Sequence, residues 1–325
     1  MQSSSRPGLL VVELWGLGDL ALAVPFLREA ARHADVTLVA KPQWAPLMAA
    51  FCSEVELIPF SSPWTVFTAK YRLYSWPWRT LAGLVKTLRK RRFDIGMSAR
   101  ADPRDHLLLR LAGVQRCVGI PRAGSGVLLS TRLAKGRTLH RAAVWRQLAA
   151  TQGWAMPAPI TRRLRPPWPG ALIVVHSGAS QPTRIWPLER FAELVRRLRN
   201  TGRAVQVLCD PGQVPAWHKL GEAVTVPENL SVLLEALAAA TLFVGNDSGP
   251  GHVAALCGVP TFTVFGPTLV HIFSPAHPAA AWIEGRPCRY KPCFDACRYD
   301  TPRCIEGISV DEVWSAVALW IATAR

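Results

Sequence analysis

At 325 residues, half of them apolar, the chain has room for two domains of ordinary size. No apolar run reaches the ~18 residues of a membrane-spanning helix, and MQSSSRPGLLVVELWG lacks the apolar core and cleavage site of a secretory leader. The expectation is a cytoplasmic protein rather than an integral membrane one. Thirty-eight Lys and Arg against 22 Asp and Glu give a formal charge of +16. That favours an anionic partner, whether nucleic acid, an anionic membrane face or a phosphorylated substrate, unless a generally Arg-rich composition accounts for it.

In chain order, apolar runs at Leu9–Trp15, Val36–Ala40, Glu56–Phe60, Phe93–Ala99 and Arg116–Ile120 read as strands. Helical periodicity falls at Asp19–Arg32, Arg79–Arg92, Pro103–Ala112 and Leu139–Gly153. Between them, WTVFTAKYRLYSWPW (64–78) interleaves aromatic and basic residues. It suits a membrane-interface surface or, equally, a loop packed on the domain. The basic run KTLRKRR (86–92) is either a membrane-facing stretch or an ordinary solvated helix end.

WAMPAPITRRLRPPWPG, from Trp154 to Gly170, holds five prolines and no periodicity, and reads as an interdomain linker. The same grammar then restarts, with strands in ALIVVHSG, AVQVLC, LFVGND and PTFTVFG. The helices are Pro187–Asn200, Ser231–Ala240, the short GHVAALCG and a closing Val310–Thr323. Strands alternating with helices imply parallel βαβ units in two α/β domains, 1–158 and 159–325, with ligands expected at the carboxyl ends of strands.

Chemistry-bearing residues gather at such ends. In WGLGDLALAVP, Gly16 and Gly18 permit a tight turn and Asp19 opens a helix. Asp19 is either a helix N-cap or a general base that takes a proton from an attacking hydroxyl. In HSGASQPTRIWP, Ser177, Gly178 and Ser180 form a hydroxyl-bearing turn whose backbone can approach a phosphate, and Arg184 can grip a diphosphate. A solvated turn with a surface Arg is the plainer alternative, and the spacing is not that of a Walker A loop. In NDSGPGHVAALCGVPTFTVFGPT, Asp247 ends a strand and Ser248, Gly249 and Gly251 start a helix whose N–H groups can face an anion. Asp247 fits beside phosphates if its carboxylate fixes the loop. His252 is either a packed histidine or a ligand contact.

Cys288, Cys293, Cys297 and Cys304 follow a C-x4-C-x3-C-x6-C spacing, which is not that of a zinc ribbon. Structural thiols, a metal cluster and disulfides are the readings in that order. Cys52, Cys117, Cys209 and Cys257 look like core positions.

Together these motifs resemble glycosyltransferase family 9, the heptosyltransferases of the lipopolysaccharide inner core. GLGDLALAVPFL resembles the family's opening, FDIGMSARADPRDHLLLRLAGVQRCVG its acceptor-domain stretch, and HSGASQPTRIWP its basic-residue loop. NDSGPGHVAALCGVPTFTVFGPT resembles its D-[ST]-G-x-x-H…F-G-P-T signature, and the cysteine segment through CIEGISVDEV is similar to one common there. The resemblance implies a GT-B fold, two Rossmann-like domains with parallel sheets facing a central cleft. The last helix, about 310–323, often packs back on the N-terminal domain in that fold.

The resemblance also implies an inverting, metal-independent transfer of heptose from ADP-heptose to a lipopolysaccharide core acceptor, with no cofactor. Asp19 inherits the role of base, and Ser177, Gly178, Ser180, Arg184, Asp247, Ser248, Gly249, His252 and Thr268 fall on the donor side. Arg184 stands where a basic residue neutralises the leaving diphosphate. The stretch VQVLCDPGQVP departs from the family's glycine pair and Glu, leaving Gln213 and Asp210 as candidate ribose contacts. Gly18, Arg100 and Arg104 fall on the acceptor side, the two arginines as partners for an acidic sugar or phosphate. The implied partners are a nucleotide sugar, an anionic lipid-linked oligosaccharide and the inner face of the cytoplasmic membrane, peripherally bound. Three rivals remain: the same fold using another nucleotide sugar for O-chain, capsule or other glycan, a catalytically dead sugar-nucleotide-binding scaffold, against which an intact Asp19 argues, and a basic nucleic-acid-binding Rossmann protein. No RRM, helix-turn-helix or zinc-finger pattern supports the last.

Overall fold

The computed structural model describes residues 6–66, 71–134, 136, 139–156, 159, 163–164, 171–293 and 296–323. Most of the expected proline-rich linker, 157–158, 160–162 and 165–170, lies outside the described residues, as do 67–70 of the aromatic segment. The chain divides into two compact units, Met1–Pro157 and Ala158–Arg325.

The first unit runs β1 (Gly8–Val12), α1 (Leu17–His33), β2 (Asp35–Ala40), α2 (Ala45–Phe51), β3 (Glu56–Pro59), α3 (Trp78–Arg89), β4 (Ile95–Ser98), α4 (Pro103–Leu111), β5 (Arg116–Gly119), β6 (Thr131–Arg132) and α5 (Arg141–Ala150). Its strands pair in parallel in the order β3-β2-β1-β4-β5-β6. β1 has no polar residue, because both faces of a central parallel strand are covered. One face packs on α3 and α4 through Leu10, Val12, Leu84, Leu88, Leu108 and Leu109, all buried.

The second unit runs β7 (Leu172–His176), α6 (Leu188–Arg199), β8 (Ala204–Leu208), α7 (Val214–Lys219), α8 (Leu230–Ala239), β9 (Leu242–Asn246), α9 (Gly249–Leu256), β10 (Thr261–Phe265), α10 (Val270–Phe273), β11 (Ala281–Glu284), α11 (Arg303–Glu306) and α12 (Val310–Thr323). The parallel order is β11-β10-β9-β7-β8. The expected alternation is present, but α2, α7, α10, α11 and the edge strands β6 and β11 were not anticipated. Each is short, and periodicity says little about two to seven residues.

In both sheets the strand order reverses beside the first strand: β1 lies between β2 and β4, and β7 between β8 and β9. Connections leave in opposite directions there, and the carboxyl ends of the two strands leave a crevice between them.

α12 buries Val313, Val317 and Trp320 in the core of the second unit with Phe262 and Ile305. The Trp320 Nε1–H donates to Ala279 O at 2.9 Å, and Arg197 pairs with Asp311 at 2.7 Å. Among the described residues, no helix is long and apolar enough to cross a membrane.

Candidate active site

In the first unit the chain leaves β1, turns at Gly16 and enters α1. Gly16, not Asp19, is the N-cap; Asp19 is the third helical residue and accepts the Gly16 N–H at 3.4 Å. Asp19 thus serves as the acid of a capping box from the third helical position, and its other oxygen meets further partners. Two guanidiniums reach the same Oδ1, Arg100 Nη1 and Arg141 Nη2, each at 3.3 Å. Arg100 also stacks on the Trp15 ring at 3.9 Å.

Arg100 is held from behind by a buried chain. Its backbone N–H donates to Ser98 Oγ at 3.2 Å, and that hydroxyl donates to Asp105 Oδ2 at 3.2 Å. The other oxygen of Asp105 accepts the Trp64 indole N–H at 2.9 Å. Burial first, then the charge of Asp102, pushes the Asp105 carboxyl up to about 7.

Below this cluster sits Glu13, 1% exposed. One of its oxygens accepts the Trp15 N–H at 3.1 Å, while Oε2 is buried without a hydrogen-bond partner. Burial, followed by the charge of Asp19, pushes this carboxyl up to about 8, with Arg100, Arg141 and the Trp15 N–H pulling the other way. Burial also lowers the basicity of Arg141 and Lys41, and both feel the charges of Asp19 and Glu13. Two carboxyls and three cations thus influence one another at the reversal point of the sheet.

In the second unit, β7 and β9 end side by side. Asp247, just past β9, is nearly buried; its Oδ2 accepts the Thr268 hydroxyl at 2.5 Å and faces Arg184 Nη1 at 3.6 Å. The carboxylate is therefore tied to the Thr268 side chain and faces Arg184. Ser248 caps α9 with its backbone extended and no side-chain cap bond, and its hydroxyl is buried without a partner. Gly249 follows, and His252 is buried one turn in. The N-terminal end of α9, the unpartnered Ser248 hydroxyl and the Arg184 guanidinium, whose Nε is also unpartnered, give a cradle suited to an anion. Thr268 is fully buried, so Thr268→Val should lower stability by about 1–3 kcal/mol in denaturant unfolding, because one oxygen of the buried Asp247 loses its donor.

Comparison with known proteins decides the class of this architecture. Residues 161–301 match the family described as glycosyltransferase family 9 (heptosyltransferase). Among curated proteins the chain is similar to lipopolysaccharide heptosyltransferase 1 of Pseudomonas aeruginosa, 26% identical over 300 residues, covering 80% of this chain and 79% of that one. The family 9 match lies in the second unit, and the chain is a glycosyltransferase. Its fold is GT-B, shared with the E. coli heptosyltransferase WaaC solved with ADP (TM-score 0.75, 16% identity, 98% of this chain and 99% of that one). The E. coli ADP-heptose lps heptosyltransferase II superposes with a TM-score of 0.71 at 19% identity, over 97% and 99% of the two chains.

The structure of the transferase sorts the sequence candidates. Asp19 and Arg100 meet, with Gly18 beside Asp19 on α1. Arg104 does not join them: it is bound by two bonds to Asp102, Nε at 2.8 Å and Nη2 at 2.7 Å, with Asp102 capping α4. Ser177 turned out to be an internal strut. It is fully buried; its hydroxyl donates to Gln213 Oε1 at 2.9 Å and accepts the Trp217 indole N–H at 3.0 Å. Gln213 returns its amide to Ser177 O at 3.1 Å, so both ends of that side chain are engaged within the protein.

Gly178 is buried, and a Cβ there would fall 2.3 Å from Asp210 Oδ2, so any larger residue requires the Asp210 side chain to move. Ser180 is exposed. Glu13, Lys41, Arg141 and Asn246 were not anticipated. Asn246 ties the two strand ends together, donating to Ser177 O at 2.7 Å and accepting the Trp186 N–H at 3.1 Å. An acid inside VVELW was the available signal for Glu13; nothing in HRAAVW marks Arg141. Cys52, Cys117, Cys209 and Cys257 are buried, as expected, and all eight cysteines are free thiols. The other four line one small cavity with Thr183, Pro267 and Tyr299.

Proposed function

We propose that this enzyme moves heptose from ADP-heptose to a lipopolysaccharide core acceptor, with inversion and without a metal ion. The observation that carries the reading is the Asp19 carboxylate at the start of α1, gripped by Arg100 and Arg141 where the first sheet reverses. Asp19 takes the proton of the acceptor hydroxyl as its oxygen bonds to the sugar's anomeric carbon, and the bond to the nucleoside diphosphate breaks on the opposite face. The cationic surplus around Asp19 suits an acceptor that itself carries acidic groups.

On the donor side, Arg184 and the positive N-terminal end of α9 meet the charge that develops on the departing diphosphate. Such fixed donors supply what a divalent cation would otherwise supply. Ser177, Gly178 and Gln213 hold the loop that presents Arg184, and Thr268 holds Asp247. Solved relatives bound to ADP and to ADP-2-deoxy-2-fluoro heptose support this choice of donor. Because the acceptor is lipid-linked, the enzyme acts on the cytoplasmic side of the inner membrane.

Arg184→Ala is expected to lower kcat/KM for the donor about 100-fold, with Arg184→Lys recovering part of it, in steady-state assays of nucleotide release. A different nucleotide sugar is the second reading, favoured by one place. Gln213 is spent on Ser177, and Asp210 lies over Gly178, so the ribose side departs from the usual acid. A donor panel with a chelator present tests both. Turnover with ADP-heptose alone, giving a product of inverted anomeric configuration, supports the first; turnover only with another nucleotide sugar, or only after a divalent ion is restored, overturns it.

A further inference from the structure

We propose that residues 71–92 of the first unit form a docking surface for an anionic phospholipid bilayer. The inference concerns attachment and holds whichever sugar is transferred. Trp64 is buried at the root of the segment, and a ladder of indoles leads outward from it, Trp64 to Trp76 and Trp76 to Trp78, each at 5.5 Å. Past this anchor the side chains turn to solvent: Tyr74 is 83% exposed, Tyr71 77%, Leu73 55% and Trp78 52%. Four large apolar side chains in eight residues are a costly surface for a protein in water alone. Aromatic rings with a polar edge are what the headgroup region of a bilayer accepts.

α3 continues the surface. Leu81, Leu84, Val85 and Leu88 pack on the unit's core. Arg79, Lys86 and Lys90, seven and four residues apart, line the opposite, exposed side. Residues 71–92 hold seven Lys or Arg and no Asp or Glu, and only Arg91 among them has an acidic partner among the described ion pairs, Glu56. A basic stripe flanked by exposed aromatic and aliphatic side chains matches a bilayer, which offers anionic headgroups with hydrocarbon beneath them. A nucleic acid offers the charge and rings to stack on, but nothing for Leu73.

The test is flotation of the full-length protein with vesicles of phosphatidylethanolamine and phosphatidylglycerol, against phosphatidylcholine alone, at low and high salt. Two variants accompany it: Arg79→Glu/Lys86→Glu/Lys90→Glu, and Leu73→Ser/Tyr74→Ser. Wild type should float with the anionic vesicles and much less with the neutral ones. The charge variant should bind about 100-fold more weakly, since each surface cation contributes roughly a factor of five. The apolar variant should bind at least several-fold more weakly at both salts. Both should keep wild-type melting temperature and wild-type turnover on a detergent-dispersed acceptor. Wild type remaining unbound, variants floating like wild type, or equal binding to neutral vesicles would overturn the proposal, as would tight binding to RNA or DNA with no flotation.

Discussion

Asp19→Asn should lower kcat by about 10²–10⁴-fold while leaving donor affinity near wild type. The amide keeps the size of the side chain and its place on the first turn of α1, but cannot take a proton at neutral pH. The variant also leaves Arg100 and Arg141 facing a neutral group, so some loss of stability accompanies it. That makes the control important. The residues assigned to the donor lie in the other unit, so nucleotide binding measured by calorimetry should persist even where turnover has gone. A variant that binds donor normally and turns over within a few-fold of wild type would remove Asp19 from the chemistry.

Glu13→Gln carries the second large effect, and it appears in stability against pH. An ordinary glutamate loses its proton near 4.3 when the chain is unfolded. In the folded protein burial holds that proton to about 8. Between those values the folded state binds a proton the unfolded chain has released, so stability from this group falls as pH rises. The penalty is absent below about pH 4, grows through the interval and is complete above pH 8. Glutamine is neutral throughout and never incurs it. The variant should therefore match wild type in acid and exceed it by a few kcal/mol near pH 8.5, read from urea unfolding at a series of pH values. A gain that is flat with pH would show that Glu13 does not titrate as its surroundings dictate.

What was legible in the sequence was the grammar: the alternation of strands and helices, the Gly16–Asp19 turn and the Asp247–Gly251 helix start. These rest on local rules of periodicity and turn chemistry, and the local rules hold where the chain has no stronger demand. Roles that depend on distant partners were less accessible. Ser177 looks like a ligand-facing hydroxyl, yet Trp217 and Gln213, more than thirty residues on, draw it inward. Arg104 and Arg100 look equivalent in SARADPRD, and the difference arises because Asp102 caps α4 and captures the nearer guanidinium. Arg141 reaches Asp19 across 122 positions of sequence, a juxtaposition no spacing rule contains. Within the aromatic stretch Trp64 is packed and Tyr74 is exposed, a division that composition alone does not assign.

The most direct test of the proposed activity is mass spectrometry of a lipid-linked core acceptor incubated with ADP-heptose and a chelator, using wild type and Asp19→Asn. The account predicts one added heptose with wild type and none with the variant over the same period. An unmodified acceptor with wild type, under conditions where the protein is folded and binds ADP, would contradict the assigned donor and acceptor.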